Sequence, residues 1–304
     1  MAIKNPDRLV EMIEERMQAQ ARQAGVDRAE VDISGGIDSA TVAALAVRAF
    51  GADHVVGVYT SIHSSDDSRR RARLVAERFG FPLVELDLSP AYELIVASTR
   101  RAFERLGLPF PDPSDPAQRT AFGGFRSCLR APVGRFVNRA FGGGIRQGTG
   151  NRDEDELIRF YQKGGDGEVD CNWIAGLFKS EVWQLARHLG VPQDVIDAKP
   201  SPDLWAVGEQ HTDEGELEEL TGVPLTYTRP GGPLGTIEWA SRENAKNGCV
   251  TGAAASLPPE ELGYDEAQSR VIVALRRMER ATRHKAEPPP HLAREALLEA
   301  GVVD

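Results

Sequence analysis

The chain is expected to form an α/β fold, a doubly wound (Rossmann-like) parallel sheet with helices on both faces and a C-terminal helical segment. Three observations predict it. Short apolar runs rich in valine at 31–33, 54–59 and 83–87 alternate with longer stretches of helical spacing, the connections between them are short, and a Ser-Gly-Gly turn follows the first run directly. Ligands of such sheets bind at the carboxyl ends of the strands, which is where that turn lies.

In order along the chain, Leu9, Val10, Met12, Ile13 and Met17 recur at helical spacing after Pro6 and predict an amphipathic first helix, its stripe buried in the core or against a second subunit. The strand over 31–33 leads into a helix over 40–50, and the strand over 54–59 into a helix over 65–79 with Asp66 and Asp67 in its first turn, where the helix dipole favours acids. After the strand over 83–87 comes a helix over 92–106. Pro109, Pro111, Pro113 and Pro116 break regular structure between 107 and 118 and mark a surface loop. The stretch with Arg126, Arg130, Arg135 and Arg139 is partly helical in pattern; it precedes a strand over 144–148 and a second tight turn, Gly148-Thr149-Gly150, at the same sheet edge. Lys163-Gly164-Gly165-Asp166-Gly167 is another glycine-rich turn, 179–189 a strong helix, and Lys199-Pro200-Ser201-Pro202-Asp203-Leu204 an ordered loop. From 217 to 260 periodicity is lost, which predicts a long excursion with little regular structure. A long helix over 265–283 and a short one after Pro288-Pro289-Pro290 complete the chain.

Composition narrows the function classes. A formal charge of -10 over 304 residues opposes nonspecific binding to nucleic acid or to an anionic membrane surface. No run approaches a bilayer span and the N-terminus lacks the apolar core of a signal peptide, so a cytoplasmic protein is expected, with Cys128, Cys171 and Cys249 as reduced thiols.

The chemistry concentrates in Ser34-Gly35-Gly36-Ile37-Asp38-Ser39. Two glycines between a strand and a helix allow positive φ and close backbone approach to an anion, while amides at the helix start point at it. Asp38 would repel phosphates by itself, so its natural use there is to hold a divalent cation that the phosphates share. Asp153, Glu154, Asp155 and Glu156 follow the second turn; four successive acids are usually a solvated helix face, but beside Asp38 one of them could complete a Mg²⁺ site.

Together these blocks resemble the ammonia-dependent NAD synthetases, within the adenine-nucleotide (PP-loop) ATP pyrophosphatase superfamily. The resemblance rests on the turn at 34–39, which has no Walker lysine, on Gly148-Thr149-Gly150-Asn151 with its acids, and on Lys163 to Gly167, Leu177-Phe178-Lys179, Lys199 to Leu204, Thr212-Asp213-Glu214 and His284-Lys285 in that order. It implies a single domain over 1–304 with an insertion at 217–260. It also implies an AMP-forming ligase: the nicotinate carboxylate of deamido-NAD attacks ATP, pyrophosphate leaves, and ammonia displaces AMP. Carried over by position, ATP is expected at Ser34, Gly35, Gly36, Ile37, Asp38, Ser39, Thr149, Lys179 and Ser201, with Asp38, Lys179 and Ser201 taking part in the chemistry. Mg²⁺ falls to Asp38 and Glu154, with Asp155 and Glu156 left open by a one-residue ambiguity of register. Deamido-NAD falls to Arg130, Asp166, His284 and Lys285, and adenine to the loop at 60–65. A homodimer is implied, with the dinucleotide site built from both subunits.

Several departures bear on substrate. Asp32 stands where the family has glycine, Cys128 where it has the first arginine of an Arg-x-Arg, Trp173 where it favours proline and Ala286 where it has arginine. The largest departure is the insertion at 217–260, and with Cys128 and Ala286 it keeps open an AMP-forming amide ligase for another carboxylate or amine. A nonenzymatic nucleotide-binding module is the remaining alternative.

Overall fold

The computed structural model describes residues 3–201 and 212–303. Its elements are α1 (Pro6–Ala24), β1 (Ala29–Asp32), α2 (Ile37–Phe50), β2 (Val55–Ser61), α3 (Asp66–Phe79), β3 (Leu83–Asp87), α4 (Ser89–Leu106), α5 (Pro116–Ala140), β4 (Ile145–Gln147), α6 (Arg152–Asp155), α7 (Lys179–Leu189), α8 (Gln193–Ile196), α9 (Asp213–Thr221), α10 (Thr236–Asn247), α11 (Glu266–Ala286) and α12 (Arg294–Glu299), with short 3-10 turns between. No helix among the described residues is long and apolar enough to cross a membrane.

The sheet is parallel with order β3-β2-β1-β4, so the chain moves one way from β1 to β2 and β3 and the other way to β4. That reversal opens a crevice at the carboxyl ends of β1 and β4, the position where doubly wound sheets bind ligands. Val55 and Tyr59 of β2 enter the main core while Val56 and Val58 pack on the other face with Val137 of α5, the period-two alternation of a strand covered on both sides. Helix α2 is buried around most of its girth because Ala40, Ala43, Ala44 and Ala46 let α1, α7 and the sheet approach it closely.

Helix α1 buries Val10, Ile13, Met17 and Ala21 against α2, whereas Met12, expected in the stripe, is half exposed. The proline-rich segment ends earlier than expected, because Pro116 opens the first turn of α5, where its missing N–H costs nothing. The partly helical arginine stretch is one 25-residue helix with Pro132 inside it. The segment from 217 to 260 is more regular than its sequence pattern suggests. It carries α10 and buries Leu225, Tyr227, Ile237, Ala240, Cys249 and Val250, positions spread over an irregular stretch, one helix and a turn so that no window shows a sustained period. Of the loop expected at 199–204, Pro202, Asp203 and Leu204 lie outside the described residues.

Glu30 and Asp32 share the α5 face of β1 and both accept from Arg146 of β4, Glu30 at 3.0 Å. The Arg146 side chain is 2% exposed, and Gly134 of α5 leaves the space it fills: a Cβ there would overlap the guanidinium. Asp32, the residue standing where a glycine was expected, is thus the partly exposed end of an ion triad whose Glu30 and Arg146 are buried.

Candidate active site

A cavity of about 740 Å³ opens over the carboxyl ends of β1 and β4. Ser34 to Ser39 form one wall. Of the two glycines only Gly35 takes positive φ (82°); it packs so closely on α3 that a Cβ would overlap the Ser68 carbonyl oxygen. Gly36, extended at φ -92°, is the N-cap of α2 and supplies no side chain to the helix start, so first-turn amides of α2 are left for a ligand. Ser34 and Ser39 hydroxyls lie 3.1 Å apart, Ser34 Oγ accepts from Gly36 N and Ser39 Oγ donates to Gly36 O, which fixes the turn from within. The Arg71 guanidinium donates to Gly35 O at 2.9 Å and also lines the cavity.

The second turn meets the first across the crevice. Asn151 caps α6 by accepting from Glu154 N, and its amide donates to Asp38 Oδ1 at 3.1 Å. The four acids do not form a solvated face; each has its own partner. Asp153, 1% exposed, accepts from the backbone N–H of Lys179 at 2.9 Å, and Glu154 accepts from Lys179 Nζ at 2.8 Å. Asp155 lies against Gly150 and accepts from Asn172, while Glu156 pairs with Arg152 at 2.7 Å and accepts from Ser241.

Lys179 is the first residue of α7, and its ammonium is held 2.5 Å from Asp38 Oδ2 and 2.8 Å from Glu154 Oε1, with the side chain 2% exposed. Burial by itself would lower its pKa, but Asp38, Glu154 and Asp213 outweigh that and hold it above the usual lysine value. Burial raises the Asp38 carboxyl despite Lys179 beside it. Burial also pushes Asp213 up to about 8, with Glu154 and Asp38 adding to the effect. Asp213 and Glu216 of α9 are buried and line the same cavity, so acids outnumber the buried ammonium. Among the described residues no three His, Cys, Asp or Glu side chains converge on one point; Asp38 and Glu154 are the convergent pair.

Thr149, Ser201, Arg130, Asp166 and Lys285 also line the cavity. Asp166 Oδ1 accepts from Ser127 Oγ at 2.6 Å and from Gln162 N at 2.9 Å, an arrangement that needs Gly165 because a Cβ there would overlap Ser127. Lys285 donates to the carbonyls of Arg159 and Tyr161 at 2.9 and 2.5 Å, and burial lowers its pKa. His284 is not brought to this wall: its ring Nδ1 sits 3.0 Å from Ala281 O and its carbonyl accepts from Lys163 Nζ at 2.8 Å. The wall also includes Asp213, from the Thr212-Asp213-Glu214 block, and Arg71 and Glu216, which no sequence motif marks. A signal existed for Asn151, since an Asn followed three positions later by Glu154 is a helix-start pattern; none existed for Arg71, which reaches Gly35 from a helix distant in sequence.

The NAD synthase family model matches residues 9–221, which span the glycine turn, the acids and Lys179 and stop before Tyr227. The NH(3)-dependent NAD(+) synthetase of Halobacterium salinarum is 34% identical over 268 residues, covering 88% of this chain and 86% of that protein. In fold, the chain is similar to the NMN synthetase from Francisella tularensis (TM-score 0.70, 20% identity, 95% and 99% of the two chains). It is likewise similar to the NH3-dependent NAD synthetase from Campylobacter jejuni (TM-score 0.68, 16% identity, 96% and 100%). With a family model matched over more than half its length, an uncapped glycine turn at the switch point, and Asp38, Glu154 and Lys179 gathered beside it, the chain belongs to the NAD synthase family.

Proposed function

We infer that the chain is an ammonia-dependent NAD synthetase that consumes ATP and releases AMP and pyrophosphate. The carrying observation is the meeting of Asp38, Glu154 and Lys179 at the uncapped start of α2 in a chain of this family. A nicotinate carboxylate oxygen attacks the α-phosphorus of ATP and the bond to the bridging oxygen breaks. The leaving pyrophosphate is stabilised by the amides of the 34–39 turn, by the hydroxyls of Ser34 and Ser39 and by the Lys179 ammonium. Ammonia then adds to the acyl carbon, loses a proton, and AMP departs. No side chain serves as nucleophile. Thr149 and Ser201, on the same cavity, are assigned to ATP, and Arg130, Asp166 and Lys285 to the second substrate.

The donor set fits Mg²⁺. Two carboxylates beside a phosphate turn, in excess over the local positive charge, suit a cation that keeps waters and shares phosphate oxygens. Asp38 and Glu154 would hold it, because they are the two carboxylates that converge beside the phosphate turn, on Lys179 Nζ. When bound, the ion neutralises charge on the departing pyrophosphate.

A homodimer is part of this reading. Helix α4 buries only Tyr92 and exposes Leu94 and Ile95, and Phe136 of α5 is 73% exposed, a set of apolar side chains that a second copy would cover. Light scattering on the purified protein tests it; a monomer at micromolar concentration would remove it. We assign the protein to the cytoplasm, which fractionation of expressing cells tests.

The fold is shared with proteins named for both a mononucleotide and a dinucleotide product, so the fold does not choose between their acids. Asp32 in the cavity wall is the observation favouring a second reading, a related amide ligase for another carboxylate. Purified protein with ATP, Mg²⁺ and ammonium should convert deamido-NAD to NAD with stoichiometric AMP and pyrophosphate. ADP formation, or no turnover, would overturn the AMP-forming NAD synthetase reading, and turnover of a different acid alone would select the second one.

A further inference from the structure

Residues 222–264 lie beyond the acids and lysine of the site in sequence, yet one of their side chains sits against them. The Tyr227 ring centroid is 5.2 Å from Lys179 Nζ, its hydroxyl is 3.5 Å from Glu154 Oε1, and the residue is 2% exposed. Its backbone is held on both sides: Tyr227 N donates to Glu214 Oε1 at 2.8 Å, and Gly235 packs so tightly on the 226–228 backbone that a Cβ would overlap it. Glu214 is fixed in turn by Arg229 at 2.8 Å, whose guanidinium lies 5.2 Å from the Trp183 ring centroid on α7, the helix that begins with Lys179.

We propose that Tyr227 is a positioning residue of the reaction, its ring backing the Lys179 ammonium and its hydroxyl steadying Glu154, so that segment 222–264 is a structural part of the phosphate site. The physical argument is economy of arrangement. Lys179 is a flexible four-carbon chain in a water-poor pocket, and its two carboxylate partners are also the residues assigned to a cation. Once a cation and triphosphate occupy the site, those carboxylates are shared, and the ring face remains as a fixed partner for the ammonium on the protein side. The ring also excludes water, which strengthens every charge interaction in front of it. The Tyr227 hydroxyl is the donor in its contact with the Glu154 carboxylate.

The inference rests on the ATP-consuming reading above. Tyr227→Phe keeps the ring and removes the hydroxyl; Tyr227→Leu removes the ring and keeps apolar bulk. For Tyr227→Leu we expect kcat to fall about 10–100-fold, the range seen when groups that orient a metal site are lost. Calorimetric affinity for MgATP should weaken about tenfold, with the KM for deamido-NAD within about twofold of wild type, and Tyr227→Phe should recover most of kcat, as expected if the ring dominates over the long hydroxyl contact. Wild-type kcat and MgATP affinity in Tyr227→Leu, measured below its melting temperature, would overturn the proposal, as would an equal loss of affinity for both substrates that tracks lowered stability. If Tyr227→Leu does not fold, Tyr227→Met is read in the same way. A wild-type protein that turns over no acid defeats the functional reading instead, and MgATP calorimetry on the variants then still decides the role of Tyr227.

Discussion

Lys179 Nζ stands 2.5 Å from Asp38 Oδ2, tying the first residue of α7 to the first turn of α2 across 141 positions of chain. Asp38 and Glu154 both meet this buried ammonium, and it in turn offsets much of the cost of burying their charge.

Lys179→Met therefore strands two facing carboxylates. We expect a stability loss of about 3–5 kcal/mol in urea titrations, the usual cost of leaving buried charge uncompensated, and a fall in kcat of about 10²–10³, comparable to losing one preorganised donor. Millimolar Mg²⁺ without nucleotide should raise the melting temperature of this variant more than that of wild type, because a divalent cation can take the place of the ammonium. Equal shifts would count against Asp38 and Glu154 as a joint cation pair.

The two glycines of the phosphate turn should behave differently. Gly35→Ala places a side chain at φ 82° and drives its Cβ into the Ser68 carbonyl; left-handed backbone alone costs roughly 1–2 kcal/mol, so both stability and MgATP affinity should drop. Gly36→Ala meets only Ser34 Oγ at 3.3 Å from ordinary backbone, and its melting temperature should match wild type. Thermal scans of the pair decide the point; similar losses in both would show that the Gly35 contact is not limiting.

Glu30 gives the fold a pH dependence. Burial, together with neighbouring Asp32, pushes its carboxyl up to about 8 from an ordinary 4.5, and Glu30 Oε1 and Asp32 Oδ1 are both buried with no hydrogen-bond partner. Between those pH values the folded chain keeps a proton that the unfolded chain has released, so stability falls as pH rises through the window and levels off above it. Glu30→Gln can still accept from Arg146 and can donate to Asp32, so it should be more stable than wild type at pH 8 and show a flatter profile in urea unfolding from pH 5 to pH 8. A profile unchanged in the variant would assign the dependence to another group.

Asp153 anchors the start of α7 by accepting from Lys179 N. Asp153→Ala should cost about 1–2 kcal/mol, as lost helix-start acceptors do, and should lower kcat with it, because the residue released is the one bearing the ammonium. Stopped-assay kcat beside the unfolding free energy tests both; an intact kcat would confine Asp153 to the fold.

Strand and helix periodicity determined the parallel α/β class, and the spacing of Ser34 to Ser39, of Gly148 to Asn151 and of Lys179 identified the blocks from which the cavity is built, since each is a local pattern written in consecutive residues. His284 and Lys285 are adjacent in sequence, yet only Lys285 faces the cavity, because one position on a helix turns a side chain about a hundred degrees. Which of the four acids meets Lys179 was likewise decided by tertiary structure, because it depends on how α6 and α7 pack and neither helix encodes the other. Tyr227 and the Glu30-Asp32-Arg146 triad lay beyond local reading for the same reason. Their partners come from elements far apart in the chain, and burial charges become legible only when folding removes the water between them.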